Sequence, residues 1–364
     1  MANHNKSTGS IYGRTRLRTA RYFLLLWSLF FLVCLGLGYP TLKRYDPRAT
    51  RGLSDTIKYY AMTTGEDQSH FRDVFRRRVL VPTVARPFYW LALRLPGTWD
   101  PGFFGLLVAN SILCAATACL VVSIGVKLFN DLSVSLLGAT LYLLSFAVSQ
   151  LLLVGLVDAG EACFMALLIW ALQNGRWFLL PVLGIFGAMA KETFVPFSTI
   201  FALTWWFMEG RSGDRIDGRH RSLIFIGAMA ILGLGTVMLV HSQVMGSFAW
   251  PWEMAQTARA DANYLKSIVR AFTQPNFWYV FGWLLPLGIW RLGAFPRKWV
   301  AATAAAAVTA ILLGAFIDAG GSIGRSVFNI SGPLLSLSVA LLISRPNNPA
   351  ELPSPKSDPP QTPA

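Results

Sequence analysis

Apolar runs about as long as a bilayer is thick recur along this chain, and they restrict its fold more than any other feature. A helix of about 20 apolar residues crosses about 30 Å of hydrocarbon. Runs of that kind, or close to it, cover Tyr22–Tyr39, Phe103–Leu128, Ser133–Leu153, Asp158–Leu172, Leu223–Val240, Phe277–Trp290, Trp299–Ile317 and Ser326–Ile343. Two shorter pieces, Trp177–Ala190 and Phe194–Met208, are separated only by Lys191, Glu192 and Thr193. Charged residues make up 14% of the chain, against about 25% in soluble domains. The expected fold is therefore an all-α integral membrane protein with about ten transmembrane helices.

Basic residues orient the spans. Lys6, Arg14, Arg16, Arg18 and Arg21 crowd the N-terminal segment 1–21, which is expected to stay cytoplasmic as Tyr22–Tyr39 inserts as a signal anchor. The membrane domain is expected over 22–344, followed by a Pro-rich disordered tail over 345–364 that is also cytoplasmic. With this topology sixteen Lys and Arg lie inside and sixteen elsewhere, nine of the latter in the stretch Thr41–Arg78 of the first exterior loop. Outside that stretch the bias is sixteen to seven, in agreement with the positive-inside tendency. The net charge of +14 then reflects cytoplasmic loops and affinity for anionic headgroups or phosphates. A nucleic-acid partner is not expected.

The loop that breaks the charge rule, 41–96, is the longest polar interruption. Between Thr41 and Arg78 it carries Lys43, Arg44, Arg48, Arg51, Lys58, Arg72, Arg76, Arg77 and Arg78, with Asp46, Asp55, Glu66, Asp67 and Asp73. A short helix is expected from about Ser54, ended by Gly65. Val79–Leu95 is apolar but holds Pro82, Arg86, Pro87 and Arg94, which suits an interfacial or re-entrant helix better than a span. A second exterior loop, His241–Asn276, carries Trp250, Trp252 and Tyr264, as an interface belt or a sugar-stacking surface.

Charges inside or at the ends of spans are expensive and therefore informative. Asp55, Arg86, Asp158, Glu161, Lys191 with Glu192, and Arg325 stand out. In the topology above Asp55, Asp158, Lys191 and Arg325 all reach the exterior face, as one outward-opening cavity would require. A carboxylate there can deprotonate a hydroxyl, and cations can stabilise a leaving phosphate. Bland alternatives stand beside each residue: Asp55 and Asp158 as helix-start acids, Arg76 to Arg78 as headgroup anchors, Lys191 and Glu192 as a pair with each other. Cys34, Cys114, Cys119 and Cys163 lie in apolar runs and read as small buried residues. His70 and His241 are isolated histidines. No Gly-rich nucleotide loop or Walker motif occurs.

The order GLSDTIKYYAMTTGE, FRRRVLVPTVARPF, GLVDAGEACF, AKETF and GRSVFNISGP, after an outward first helix, resembles the GT-C superfamily of polytopic glycosyltransferases of bacterial membranes. The resemblance covers most of Tyr22 to Ile343 as scattered short motifs. It implies a GT-C-like fold in a bacterial inner membrane and transfer of a sugar from a polyprenyl-phosphate donor to a lipid or surface-glycan acceptor at the outer face. It implies Asp55 as catalytic base, with Asp158 at a second acidic position. It implies that Lys191 and Arg325 hold the donor phosphate. Charge alone adds Arg78 and Arg86 to the phosphate ligands. The family's Asp-x-Asp pair is missing, and Glu66–Asp67 is the only adjacent acidic pair of the loop. Glu66, Asp67 and Glu161 are thus the alternative acids, and nothing supports a divalent metal or other cofactor. The rival expectations are a transporter or flippase of a lipid-linked or anionic substrate, and a non-catalytic membrane protein of the same fold. A shared catalytic site requires Asp55 and Asp158 within about 12 Å of each other.

Overall fold

The computed structural model describes residues 8–40, 42, 54–69, 71–97, 99–211, 219–258, 264–273, 275–316 and 323–344. The expected tail 345–364, His70 and the basic residues between 43 and 51 lie outside them. The described residues form helices and no strands.

Five helices are long and apolar enough to cross a membrane. They belong to α1 (Thr8–Gly38), α5 (Pro101–Phe129), α10 (Arg219–Met245), α15 (Arg297–Phe316) and α16 (Ile323–Ser344). Between α1 and α5 lie the loop helices α2 (Ser54–Thr64), α3 (Asp73–Arg76) and α4 (Leu80–Ala92). The remaining elements are shorter or less apolar: α6 (Leu132–Leu143), α7 (Asp158–Gln173), α8 (Leu180–Ala190), α9 (Phe194–Arg211), α11 (Pro251–Ala258), α12 (Tyr264–Thr273), α13 (Pro275–Phe281) and α14 (Leu284–Ile289). The structure thus carries the helical fold class and several long apolar helices, which point to an integral membrane protein.

Local chemistry sets the boundaries. Asn130 takes a left-handed conformation (φ 50°) and ends α5. Asp131 then caps α6, accepting from the amides of Ser133 and Val134 at 2.9 and 3.1 Å. Such caps satisfy amides that the first helical turn leaves unpaired. Gly65 (φ +85°) turns the chain out of α2, and its amide reaches back to the Ala61 carbonyl at 2.9 Å. One expectation is corrected here. Ser133–Leu153 is not a single helix: α6 stops at Leu143, and a π turn occupies Val148–Leu152. Ser145 sits at the break, where its hydroxyl accepts from the Val148 amide and its carbonyl accepts from the Ser149 hydroxyl. Side chains that offer the backbone alternative partners interrupt helices in this way.

α16 is the axis of the bundle, with 89% of its best apolar window buried; α1 and α10 are peripheral, at 17% and 22%. It packs against α6, α7, α14 and α15. Gly125 on α5 and Gly138 on α6 make room for Leu337: a Cβ on either would stand 2.8 or 2.7 Å from the leucine Cδ2. α4 lies along α5, burying Val81, Pro82 and Ala85 and exposing Arg86, Trp90 and Leu91. At 13 residues it rises only about 20 Å, too little to span, which agrees with an interfacial helix.

Two ends of the bundle are distinguishable. At one, Lys127 near the end of α5 donates to Asn174 just past α7 (2.9 Å), and Lys298 on α15 pairs with Glu209 on α9 (2.6 Å). At the other, the first turns of α7 and α16 meet the α8–α9 junction and the loop helix α2. All the charges that gather into one cluster lie at this second end.

Candidate functional site

The buried layer of the cluster centres on Lys191, in extended conformation (φ −163°, ψ 130°) where α8 ends. Its ammonium donates to Asp158 Oδ1 (2.8 Å), Glu161 Oε2 (2.8 Å) and Ser326 Oγ (3.2 Å). Asp158 and Glu161 occupy the first turn of α7, three residues apart and hence on one face. Glu161 is completely buried and also accepts from Thr193 Oγ1 (2.6 Å) and Asn329 Nδ2 (2.7 Å). An ammonium has three donors, and all three of Lys191 are engaged.

Arg325, at the start of α16, carries the network outward. One terminal nitrogen donates to Asp158 Oδ2 at 3.1 Å and the other to Asp55 Oδ2 at 3.5 Å. Asp55 and Asp158 therefore share one guanidinium, well inside the separation that a common site requires. Asp55 lies in the first turn of α2, and Lys58 one turn on meets its other oxygen at 3.1 Å. The Lys58 ammonium also stands 3.4 Å from the centre of the Phe75 ring, a cation–π contact. The Asp55 side chain is 26% exposed, against 4% for Asp158.

Arg78 closes the other flank. Its guanidinium grips both oxygens of Glu192 (3.0 and 2.6 Å) and donates to the Tyr59 hydroxyl at 3.0 Å. Burial raises the Tyr59 phenol above its usual range, partly countered by Arg78 beside it. Burial likewise works against the Glu192 carboxylate, but Arg78, and after it Arg77, outweighs this and holds it below its ordinary value.

Asp55, Asp158, Glu161, Lys191 and Arg325 are thus brought together; Arg78 and Glu192 lie beside them, with Arg78 bonded to Tyr59 one turn along α2 from Asp55. Lys191 and Glu192 do not pair with each other; each is taken by another element. The structure does not bring in the rest. Arg86 is exposed and donates to the Met62 carbonyl (3.0 Å). Glu66 and Asp67 are exposed beyond the end of α2, with Asp67 accepting from the Ser69 amide and hydroxyl. Lys191, expected as a phosphate ligand, is enclosed by carboxylates instead. Lys58, Tyr59, Thr193, Ser326 and Asn329 were not singled out by charge in apolar context. Spacing is a signal for two of them: Ser326 and Asn329 fall with Arg325 on adjacent turns of one helix face.

The four cysteines are buried thiols. Trp250 and Trp252 stack with ring centres 4.9 Å apart and are both exposed; the side chain of Tyr264 lies outside the described residues. Among the described residues no group of His, Cys, Asp and Glu could hold a metal ion.

The site holds one partly exposed carboxylate against two cations, on a floor of buried ion pairs. It belongs to an α-helical protein whose long apolar helices point to the membrane. No protein-family model, no curated protein and no solved structure matches the chain.

Proposed function

We propose that this chain is a membrane glycosyltransferase of GT-C type, with about ten spans, that moves a sugar from a polyprenyl-phosphate donor to a lipid or surface-glycan acceptor at the outer face of a bacterial inner membrane. The observation that carries the reading is the difference between the two bridged carboxylates: Asp55 is partly exposed and loosely held, whereas Asp158 is buried between Lys191 and Arg325. Asp55 is the base. As the acceptor oxygen bonds to the sugar's anomeric carbon, its proton passes to the Asp55 carboxylate. The bond from that carbon to phosphate oxygen breaks, and the polyprenyl phosphate leaves with the electron pair. Arg325 and Lys58 flank Asp55 and face the charge that grows on the leaving phosphate, where fixed cations act most strongly. Asp158 is a positioning residue: with Lys191 and Glu161 it fixes the fork of Arg325.

The test is direct. Membranes containing the chain are supplied with polyprenyl-phosphate sugars labelled in the sugar, and label is followed into lipid and glycan fractions. Transfer that Asp55→Asn abolishes supports the reading. Label that crosses the membrane still attached to its lipid would favour a flippase.

A further inference from the structure

Three successive arginines of the first loop point to three different elements. Arg78 takes Glu192. Arg76 donates to the Val244 carbonyl (3.1 Å) and the Met245 sulfur (3.2 Å) at the end of α10. Arg77 is only 7% exposed, yet among the described residues its hydrogen-bond acceptor is the thioether of Met254 on α11, 2.6 Å away. Its Nε is buried without a partner, and so is the Nε of Arg76.

A guanidinium presents five donors, and burying a charge without an opposite one is costly. A thioether is a weak acceptor and does not neutralise the charge. The carboxylates within electrostatic reach of Arg77 are Glu192 and Asp73; the first is gripped by Arg78, and neither is hydrogen-bonded to Arg77. His241, on α10, is 7% exposed, lies within electrostatic reach of Arg77 and has Nδ1 buried without a partner. Two side chains more than nine-tenths buried thus hold unused polar atoms, and both stand at the contact of Met254 with this helix: Arg77 meets the Met254 sulfur, and His241 lies one turn beyond Val237, which packs against Met254. The surroundings are apolar: Met254 packs in a cluster with Ala188, Val195 and Val237.

We propose that Arg77 and His241 form a second anion site, separate from the Asp55 cluster, that takes the phosphate of a phosphate-bearing amphiphile. The phosphate oxygens accept from Arg77, displacing the Met254 sulfur, and from His241. Methionine is unbranched and flexible enough to swing aside. The apolar cluster then lies against the hydrocarbon next to the phosphate. The proposal concerns binding alone and does not depend on the transferase reading.

The experiment is equilibrium binding to the purified full-length chain in detergent, with three probes: inorganic phosphate, farnesyl phosphate and farnesol. Arg77→Met fills the site with an apolar side chain of similar length, and Arg77→Lys keeps the charge without the fork. Size-exclusion behaviour and helicity report folding of each variant. Farnesyl phosphate is expected to bind, with at least tenfold loss in Arg77→Met, a smaller loss in Arg77→Lys and none in Met254→Leu. Farnesol is expected not to compete. If inorganic phosphate binds comparably and shows the same dependence on Arg77, the site takes free phosphate; if only farnesyl phosphate binds, it takes a lipid headgroup. The proposal is overturned if neither phosphate binds the wild-type chain, or if folded Arg77→Met binds them as wild type does.

Discussion

Arg78 and Glu192 meet as a fork on a carboxylate, Nε and one terminal nitrogen standing 3.0 and 2.6 Å from the two oxygens. They are 114 residues apart in sequence. The pair ties the polar first loop to the junction of two apolar helices. Its side chains are 13% and 19% exposed, so the pair is neither a solvated surface bridge nor fully desolvated. Bidentate charge-assisted bonds of this kind depend on the planar guanidinium. Arg78→Lys is expected to lower stability by about 2 kcal/mol and to make the first loop more sensitive to protease. Exchanging the partners, Arg78→Glu with Glu192→Arg, should restore part of the loss. Wild-type protease resistance in Arg78→Lys would show that the pair does not anchor the loop.

The same pair predicts an acid response. The Glu192 carboxyl is held below its ordinary value, so its contribution to stability is complete above the unfolded-state pKa of about 4.3. That contribution falls away as pH drops through the lower folded-state value. Hydrogen exchange of α2 and α3, followed from pH 6 down to pH 3, should therefore accelerate at the acid end. Glu192→Gln should remove this component and leave exchange already faster at pH 6.

Lys191 is the keystone of the buried layer. Lys191→Met leaves Asp158 and Glu161 as neighbouring buried acids without their shared cation. Removing one partner of a buried ion pair typically costs about 3–5 kcal/mol, and thermal unfolding in detergent should show a loss of that order. Adding Glu161→Gln to Lys191→Met should recover part of it, because a neutral amide oxygen still accepts from Thr193, and its NH2 can donate to the otherwise unpartnered Asn329 Oδ1 once that amide turns over. An unchanged melting temperature in Lys191→Met would contradict the inner layer as drawn.

Helix packing offers a test independent of charge. A Cβ on Gly184 of α8 would run into the Met229 carbonyl of α10, which is backbone and cannot swing aside. On the same α10, Gly227 has nothing within 4 Å of such a Cβ. Gly184→Ala is expected to destabilise by about 1–3 kcal/mol. Gly227→Ala should be neutral or stabilising by a few tenths, since alanine is the better helix former. Equal melting temperatures for the two variants would remove the close approach of α8 and α10.

Much of the fold was legible because apolar runs and their breaks are dictated by hydrocarbon thickness and by residues such as Gly65, Asn130 and Asp131. The break after Leu143 was not, because Leu144 to Leu153 remains apolar and only the spacing of Ser145 and Ser149 marks it. Asp158, Lys191 and Arg325 were legible because charge among apolar residues needs a reason, and Asp55 through the resemblance carried by its loop. Their roles were not. Which carboxylate remains accessible, and whether a cation is free or enclosed, depends on neighbours such as Thr193, Ser326 and Asn329, whose small polar side chains are unremarked in sequence until the helices bring them together. The run Arg76 to Arg78 offers headgroup anchors by sequence, with Arg78 also a phosphate ligand, and the fold sends its members to three separate partners.

The central claim is that Asp55 is the base while Asp158 positions Arg325. Its most direct test is the surface-glycan composition of a strain lacking the gene, complemented with the wild-type chain, with Asp55→Asn or with Asp158→Asn, with membrane insertion verified by immunoblot. The wild-type chain should restore a missing sugar. Asp55→Asn should insert normally and restore none of it, and Asp158→Asn should restore a reduced amount. Full restoration by Asp55→Asn, or an unaltered glycan in the strain lacking the gene, would contradict the account.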